Sequence, residues 1–293
     1  MNIHLNEQHG QLQHNNKDWW ESNPMAYNWE KQLSAQPGTS AFFAEIDERF
    51  FRSSAHFGHP NYPIDPPFCK QIDYAHLTGK RVLEIGCGMG SIAAALAKGG
   101  ANLTAIDITT TAIDITKRRF KTLGLQGDIR QLDAEQLDFA DNTFDMVWSW
   151  GVIHHSANMA GIIQQIHRVL KSGGQAKIMI YHRHALRNWI LAGLYEGVFK
   201  AKFLTTPYEE ILRSVTDGYI ARHLTRAQAR QAFAAFANVT TELTCLQDLS
   251  YLPGNVQFDR YITGKLFPTR WKRAFDYWLM QHFGWFIYLE ATK

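Results

Sequence analysis

From Lys80 to Tyr181, short apolar runs alternate with segments whose apolar residues recur every three or four positions. That alternation is the pattern of strand–helix units around a parallel sheet. The runs predict strands over Arg81 to Ile85, Asn102 to Asp107, Gln126 to Leu132, Phe144 to Trp150 and Gln175 to Tyr181. Between them, Ser91 to Lys98 reads as a helix stopped by Gly99 and Gly100, and Met159 to Leu170 as one stopped by Ser172, Gly173 and Gly174, because glycine commonly ends a helix. In the second helix Met159, Ile162, Ile163, Ile166, Val169 and Leu170 form one stripe that would face the sheet.

The alternation breaks after Tyr181. Residues 184–223 read as an insertion with helical spacing at Leu186, Trp189, Ile190, Leu194 and Val198 and a second helix from Pro207 to Val215. Leaving the sheet at the end of the fifth strand, it would form a lid. Thr225 then opens a Thr-x-x-Gln capping box. Val239 to Leu249 and Trp285 to Thr292 read as sixth and seventh strands, with a further insertion at 250–281. The fold class expected is α/β: one doubly wound, seven-stranded, mostly parallel sheet over residues 80–293 with a helical lid insertion.

Residues 1–79 read as a separate helical and aromatic segment, with a helix from Ser40 to Phe51 and a loop from His59 to Pro67 that holds four prolines. Trp19, Trp20, Tyr27 and Trp29 cluster there among polar residues. Such clusters usually bind something. A flap over a ligand, docking on the domain's own surface, and contact with a second copy in a homo-oligomer all stay open.

Composition narrows the function classes. A chain of 293 residues, 45% hydrophobic and 19% charged, suits a folded domain and excludes a disordered one. The net charge is only +3, and the one basic cluster, Lys117, Arg118, Arg119 and Lys121, reads as a solvated helix face. Without a broad basic stripe, no nucleic-acid partner is expected. Three cysteines without paired spacing suggest neither a disulfide framework nor a metal site. The polar first residues and the lack of an eighteen-residue apolar run predict a cytoplasmic protein with no membrane partner.

The chemistry concentrates where the first strand ends, in Val82-Leu83-Glu84-Ile85-Gly86-Cys87-Gly88-Met89-Gly90. Glycines let the backbone approach a ligand closely, and the N–H groups of the following helix favour an anionic group. The dinucleotide fingerprint needs a third glycine one place later, where this chain has Ser91, so the spacing counts against a nicotinamide cofactor. Asp107 ends the next strand, where a carboxylate can accept both hydroxyls of a ribose.

Five ordered motifs carry a resemblance: Leu83 to Gly90, Ala105-Ile106-Asp107-Ile108, Asp133-Ala134-Glu135-Gln136-Leu137, Phe144-Asp145-Met146-Val147 through His155, and Arg168 to Gly174. Over Lys80 to Tyr181 the chain resembles class I S-adenosylmethionine-dependent methyltransferases of the ubiquinone-biosynthesis-like, type 11 group, which have a Rossmann-like fold. The resemblance implies that S-adenosylmethionine donates a methyl group to an oxygen, nitrogen or carbon nucleophile of a small molecule, leaving S-adenosylhomocysteine. It implies that Gly86, Cys87, Gly88 and Gly90 line the methionine part, with Glu84 orienting the turn. Asp107 would hold the ribose, Ile108 would pack on the adenine, Asp133 would accept from the adenine amino group with Ala134 beside it, and Ser149 and Trp150 would sit near the amino-acid end. A non-catalytic S-adenosylmethionine-binding or interaction protein is the alternative.

Histidines gather at the carboxyl ends of the fourth and fifth strands, where open α/β sheets bind ligands. His154, His155 and His182, with Tyr181, are candidates for moving a proton from the acceptor. Each also has a purely packing role open to it.

Overall fold

The computed structural model describes residues 2–24, 33–54, 66–245 and 269–293. Tyr27 and Trp29, most of the His59–Pro67 loop and residues 246–268 lie outside the described residues.

The strand β1 (Arg81–Ile85) is buried at every residue after the first, and such a strand needs cover on both faces and partners on both edges. β2 (Asn102–Asp107) and β4 (Phe144–Trp150) pair parallel to its two edges. β3 (Asp128–Gln131) extends the sheet beyond β2 and β5 (Leu170–His182) beyond β4. β8 (Phe286–Thr292) then runs antiparallel between β5 and β7 (Asn238–Thr244). The resulting order is β3-β2-β1-β4-β5-β8-β7, and a two-residue β6 (His223–Leu224) pairs with the end of β5. This is the mixed seven-strand sheet the sequence leads one to expect. Its order reverses between β1 and β4, which opens a crevice at their carboxyl ends.

Alternation along β1 divides the core. Leu83 and Ile85 join Val147, Ile178 and α5 (Met159–Val169) on one face, while Val82 joins Trp148, Leu103 and α3 (Ser91–Lys98) on the other. β1, β2, β4 and α3 have the bounds their apolar patterns imply. β5 begins earlier than expected, because Ser172 to Gly174 form an irregularity inside the strand, where pairing to β4 shifts register and Gly173 is left-handed at φ +75°. The glycines that read as a helix stop therefore serve a bulge. β7 ends where Cys245 turns left-handed at φ +62°.

Three helices of the first half matter for the site. α1 (Asn2–Ser22) has almost no apolar stripe, so periodicity gave no sign of it. α2 (Ser40–Ser54) packs Phe42, Phe43 and Ile46 against Met89 of the glycine turn. α4 (Thr110–Leu123) starts at Thr109, whose hydroxyl caps Ala112 N–H, and ends at left-handed Gly124.

α4 corrects the expectation of a solvated basic face. Arg119 is completely buried: its guanidinium pairs with Asp47 of α2 through both carboxylate oxygens at 2.7 and 2.8 Å and lies 4.6 Å above the Phe43 ring. Only its neighbours in the cluster face water. A charge run carries no mark of which member a neighbouring carboxylate will draw inward.

The insertion consists of α6 (Leu186–Asn188) continuing into a π-helical stretch (Trp189–Phe199), then α7 (Tyr208–Ser214). Ala192, Ile211 and Leu212 form its small core. α8 (Arg226–Ala232) opens with the full capping box, Thr225 accepting from Gln228 N–H and Gln228 from Thr225 N–H. α9 (Thr269–Phe283) precedes β8.

Candidate functional site

The turn after β1 is held open by its backbone. Gly86, Gly88 and Gly90 have φ of +78°, +51° and +75°, a region that strains residues with a Cβ. At Gly86 a Cβ would also fall 2.2 Å from a Val152 methyl. Gly86 and Cys87 N–H groups both donate to Ile106 O, at 2.8 and 3.0 Å, which ties the turn to β2. Beneath it, Arg119 donates to Met89 O at 2.8 Å and to Ser91 Oγ at 3.2 Å.

Asp107 sits beside this turn. Its carboxylate accepts from Gly88 N–H at 3.1 Å and from Thr109 N–H and Oγ at 3.0 and 2.8 Å. Burial raises its pKa, with the Thr109 and Gly88 donors acting against the rise. Glu84 is buried under the turn, and its Oε2 has no hydrogen-bond partner among the described residues. Burial, then the Asp107 charge, raises its pKa well above the carboxylate range.

One cavity joins these groups. Glu84, Gly86, Cys87, Gly88, Asp107, Ile108, Asp133, Ala134 and Trp150 of the expected site all line it. Gly90 lies just behind, as the left-handed cap of α3. Ser149 is fully buried away from the lining.

The histidines separate. His155 lines the cavity, whereas His154, Tyr181 and His182 do not. His155 Nδ1 meets Ile220 O at 2.5 Å, and because a carbonyl only accepts, Nδ1 carries the proton. In the neutral ring Nε2 is then a bare lone pair, and it is buried without a partner among the described residues. Burial lowers the pKa, with Asp217 pulling it upward. Gly218 (φ +92°) packs on the same ring so closely that a Cβ there would lie 2.5 Å from Nδ1. His154 is buried against the Tyr181 ring at 4.1 Å. Tyr181 donates to Asp217 Oδ1 at 2.8 Å, and His182 Nδ1 is bonded to Gly284 O at 2.9 Å. Burial takes His182 down to a pKa of about 4.

Little in the amino-acid pattern marks what closes the cavity. α1 lies across it, with Gln13, Asn16 and Trp20 on the lining. Gln13 Nε2 donates to both Asp133 oxygens at 3.2 and 3.0 Å, while its Oε1 accepts from Ala157 N–H at 3.0 Å. One turn earlier, His9 contacts Glu135 at 2.7 Å, and Glu135 in turn accepts from Ser156. At the other end Glu21 accepts from the Thr110 and Thr111 N–H groups, which keeps its pKa low through the Thr111 hydroxyl above all. Trp20 stands edge-on to His155 at 5.1 Å. Asn16 is 4% exposed, and its Oδ1 has no partner among the described residues. Among these, only Trp20 stands out in the sequence, because a polar helix gives no apolar period to read.

Sheet order defines an α/β domain of the class I methyltransferase fold. Residues 83–178 match the methyltransferase-domain family, and this stretch is a methyltransferase domain of the S-adenosylmethionine-dependent kind. The chain is 33% identical over 146 residues to the ubiquinone biosynthesis O-methyltransferase of Pseudomonas aeruginosa (strain UCBPP-PA14), a match over 49% of this chain and 62% of that protein. It is 31% identical over 154 residues to the enzyme of the same name from Dechloromonas aromatica (strain RCB), covering 52% and 66%. The chain thus spans somewhat under two thirds of these relatives. Magnesium protoporphyrin IX methyltransferase from Synechocystis PCC 6803, solved with bound S-adenosylhomocysteine, shares the fold at a TM-score of 0.55 and 16% identity, over 94% of this chain and 97% of that one.

Proposed function

We propose that this chain transfers the methyl group of S-adenosylmethionine to an O–H or N–H acceptor on a small molecule, with His155 taking the proton. The observation that carries the reading is that His155, whose buried Nε2 has no partner among the described residues, lines the cavity that also holds the glycine turn and Asp107.

The residues present fit the cofactor. Asp107 would hold the ribose hydroxyls on its remaining lone pairs, and Ile108 and Ala134 would contact the adenine. Asp133 Oδ2, which among the described residues accepts only from Gln13, would keep room for the adenine amino group. Left-handed Gly86 and Gly88 would leave space for the methionine end. Glu84 Oε2 and Asn16 Oδ1 are buried polar atoms without a partner among the described residues, and such groups are costly unless a ligand supplies one.

When bound, the cofactor supplies a methyl group already activated on a sulfonium, so alignment and water exclusion are the main tasks left to the protein. α1 lines the cavity beside His155, and Gly218 and Ile220 hold the His155 ring. His155, its Nδ1–H held by Ile220 O, would take up at Nε2 the proton that the acceptor's heteroatom gives up on methylation. Because burial keeps the ring neutral, the base form is present at neutral pH.

The test incubates the protein with S-adenosylmethionine and a panel of phenols, aliphatic alcohols and amines, and scores methylated products by mass spectrometry. A product, lost in His155→Asn while S-adenosylhomocysteine still binds, supports the reading. Binding without turnover on any acceptor would favour a non-catalytic binding protein, and unchanged turnover in His155→Asn would remove His155 from the proposal.

A further inference from the structure

The insertion returns to the sheet through a strap, residues 216–223, that wraps the turn carrying the histidines. Where the strap begins, Thr216 Oγ1 donates to Leu212 O at 2.8 Å, which ties it to the small core of the insertion. Arg222 N–H donates to His154 O at 3.1 Å, and the Arg222 guanidinium donates to Ser156 O and, at 2.9 Å, to Ala157 O. With Ile220 O on His155 Nδ1, the strap bonds to every residue of the turn from His154 to Ala157. Left-handed Gly218 lets its backbone lie against the imidazole.

Asp217 stands at the centre of this contact. Its Oδ1 accepts from the Tyr181 hydroxyl at 2.8 Å, and the Tyr181 ring lies 4.1 Å from the His154 ring and edge-on to His155 at 5.3 Å. Tyr181 belongs to the buried end of β5, so the bond fixes the carboxylate to the sheet. The other groups around His155 offer no such charge. His154 on its own turn and His223 of β6 are held neutral by burial, α1 presents the uncharged Trp20, and Arg222 opposes a second cation. Burial lowers the His155 pKa, and Asp217 is the strongest influence acting against it.

Resting on the reading of His155 as proton acceptor, we propose that Asp217 is the positioning residue of this base. Its carboxylate anchors the strap that keeps Nδ1–H on Ile220 O, so that Nε2 retains the lone pair, and its charge stabilises the imidazolium formed when Nε2 takes up the acceptor's proton. The insertion thereby completes the site from outside the core of the domain. A purely structural role would need only an acceptor for the Tyr181 hydroxyl, whereas this role needs a negative charge. Asp217→Asn separates the two, because the amide keeps an Oδ1 that can accept from Tyr181 and loses only the charge.

NMR of the full chain labelled with carbon-13 and nitrogen-15 histidine tests it, the His155 ring signals being assigned by their loss in His155→Asn. In the wild type Nδ1 should carry the proton at neutral pH. In Asp217→Asn, with circular dichroism unchanged, the His155 ring should protonate at lower pH than in the wild type, and Tyr181→Phe, which keeps the charge without its anchor, should fall between them. On an acceptor that the panel shows to be methylated, the acid limb of kcat/KM should move to lower pH in Asp217→Asn. There kcat should fall about tenfold, part of the roughly hundredfold or more that a general base supplies, with the S-adenosylmethionine KM changed by less than about twofold. A His155 ring that titrates alike in wild type and Asp217→Asn would overturn the proposal, as would an unchanged kcat and acid limb on a methylated acceptor. A shifted ring titration without turnover on any acceptor would support the hold of Asp217 on His155 and overturn the methyl-transfer reading instead.

Discussion

The ion pair beneath the glycine turn yields a prediction whose two halves differ in size. Arg119 is fully buried, whereas the Asp47 side chain keeps about a fifth of its surface in water. Asp47→Ala therefore leaves a cation under the turn without its carboxylate, a change that typically costs about 3–5 kcal/mol. Partial access of water at Asp47 lowers this to roughly 2–4 kcal/mol. Arg119→Met removes the charge itself and leaves Asp47 able to hydrate. Its cost is the loss of the bonds to Met89 O and Ser91 Oγ, roughly 1–3 kcal/mol after the methionine refills the space. Urea unfolding of both variants, and of the double variant, reads these values. Asp47→Ala should be the less stable single variant, and the double variant should resemble Arg119→Met, because the two changes do not add. S-adenosylhomocysteine titration should show Arg119→Met with the weaker affinity relative to its stability, since it is the arginine that holds the turn. The reasoning is refuted if Asp47→Ala lies within about 1 kcal/mol of wild type or if Arg119→Met unfolds more easily than Asp47→Ala.

Three further outcomes are expected. Gly86→Ala should abolish measurable S-adenosylhomocysteine binding through left-handed strain of roughly 1–2 kcal/mol and the clash with Val152; adding Val152→Ala should restore part of the affinity, and full retention in the single variant would contradict the cradle. Asn16→Leu should weaken S-adenosylhomocysteine about fivefold or more by removing an acceptor worth roughly 1 kcal/mol, an effect that calorimetry would find absent if α1 merely packs nearby. Acidification should destabilise the fold: His182 and His223 are held neutral by burial, at pKa values of about 4 and about 3, and His154 and His155 are lowered too, whereas unfolded histidine binds its proton near 6.5. Stability is therefore full above about pH 6.5 and falls as pH drops toward the native values, by roughly 1.4 kcal/mol per pH unit for each histidine not offset. Glu84 and Asp107, with raised values, act in the opposite sense, so a urea midpoint that stays flat from about pH 7 to about pH 5 would mean that they compensate the histidines fully, against this expectation.

How far the sequence could be read follows from what periodicity registers. β1, β2, β4 and α3 were legible to the residue because each has an apolar pattern cut by glycine or polar punctuation. The glycine turn and Asp107 stand out through their spacing at the ends of the first two strands, and Asp133 only through the family resemblance. α1 was not, since a helix held by His9, Gln13 and Glu21 needs no apolar stripe. The histidines were legible as a group but not as individuals. Which of His154 and His155 faces the cavity depends on Ile220 and Gly218, more than sixty residues away in the chain. Arg119 was hidden for the same reason, its partner lying on another helix.

The central claim is that this cavity binds S-adenosylmethionine through Asp107. Titration calorimetry with S-adenosylhomocysteine on the wild type and on Asp107→Ala tests it most directly. The wild type should bind one equivalent, and Asp107→Ala, folded by circular dichroism, should bind at least about tenfold more weakly, as two charge-assisted hydrogen bonds of roughly 1.5–3 kcal/mol each are lost before compensation. No heat of binding in the wild type, or an unchanged affinity in folded Asp107→Ala, would contradict the account.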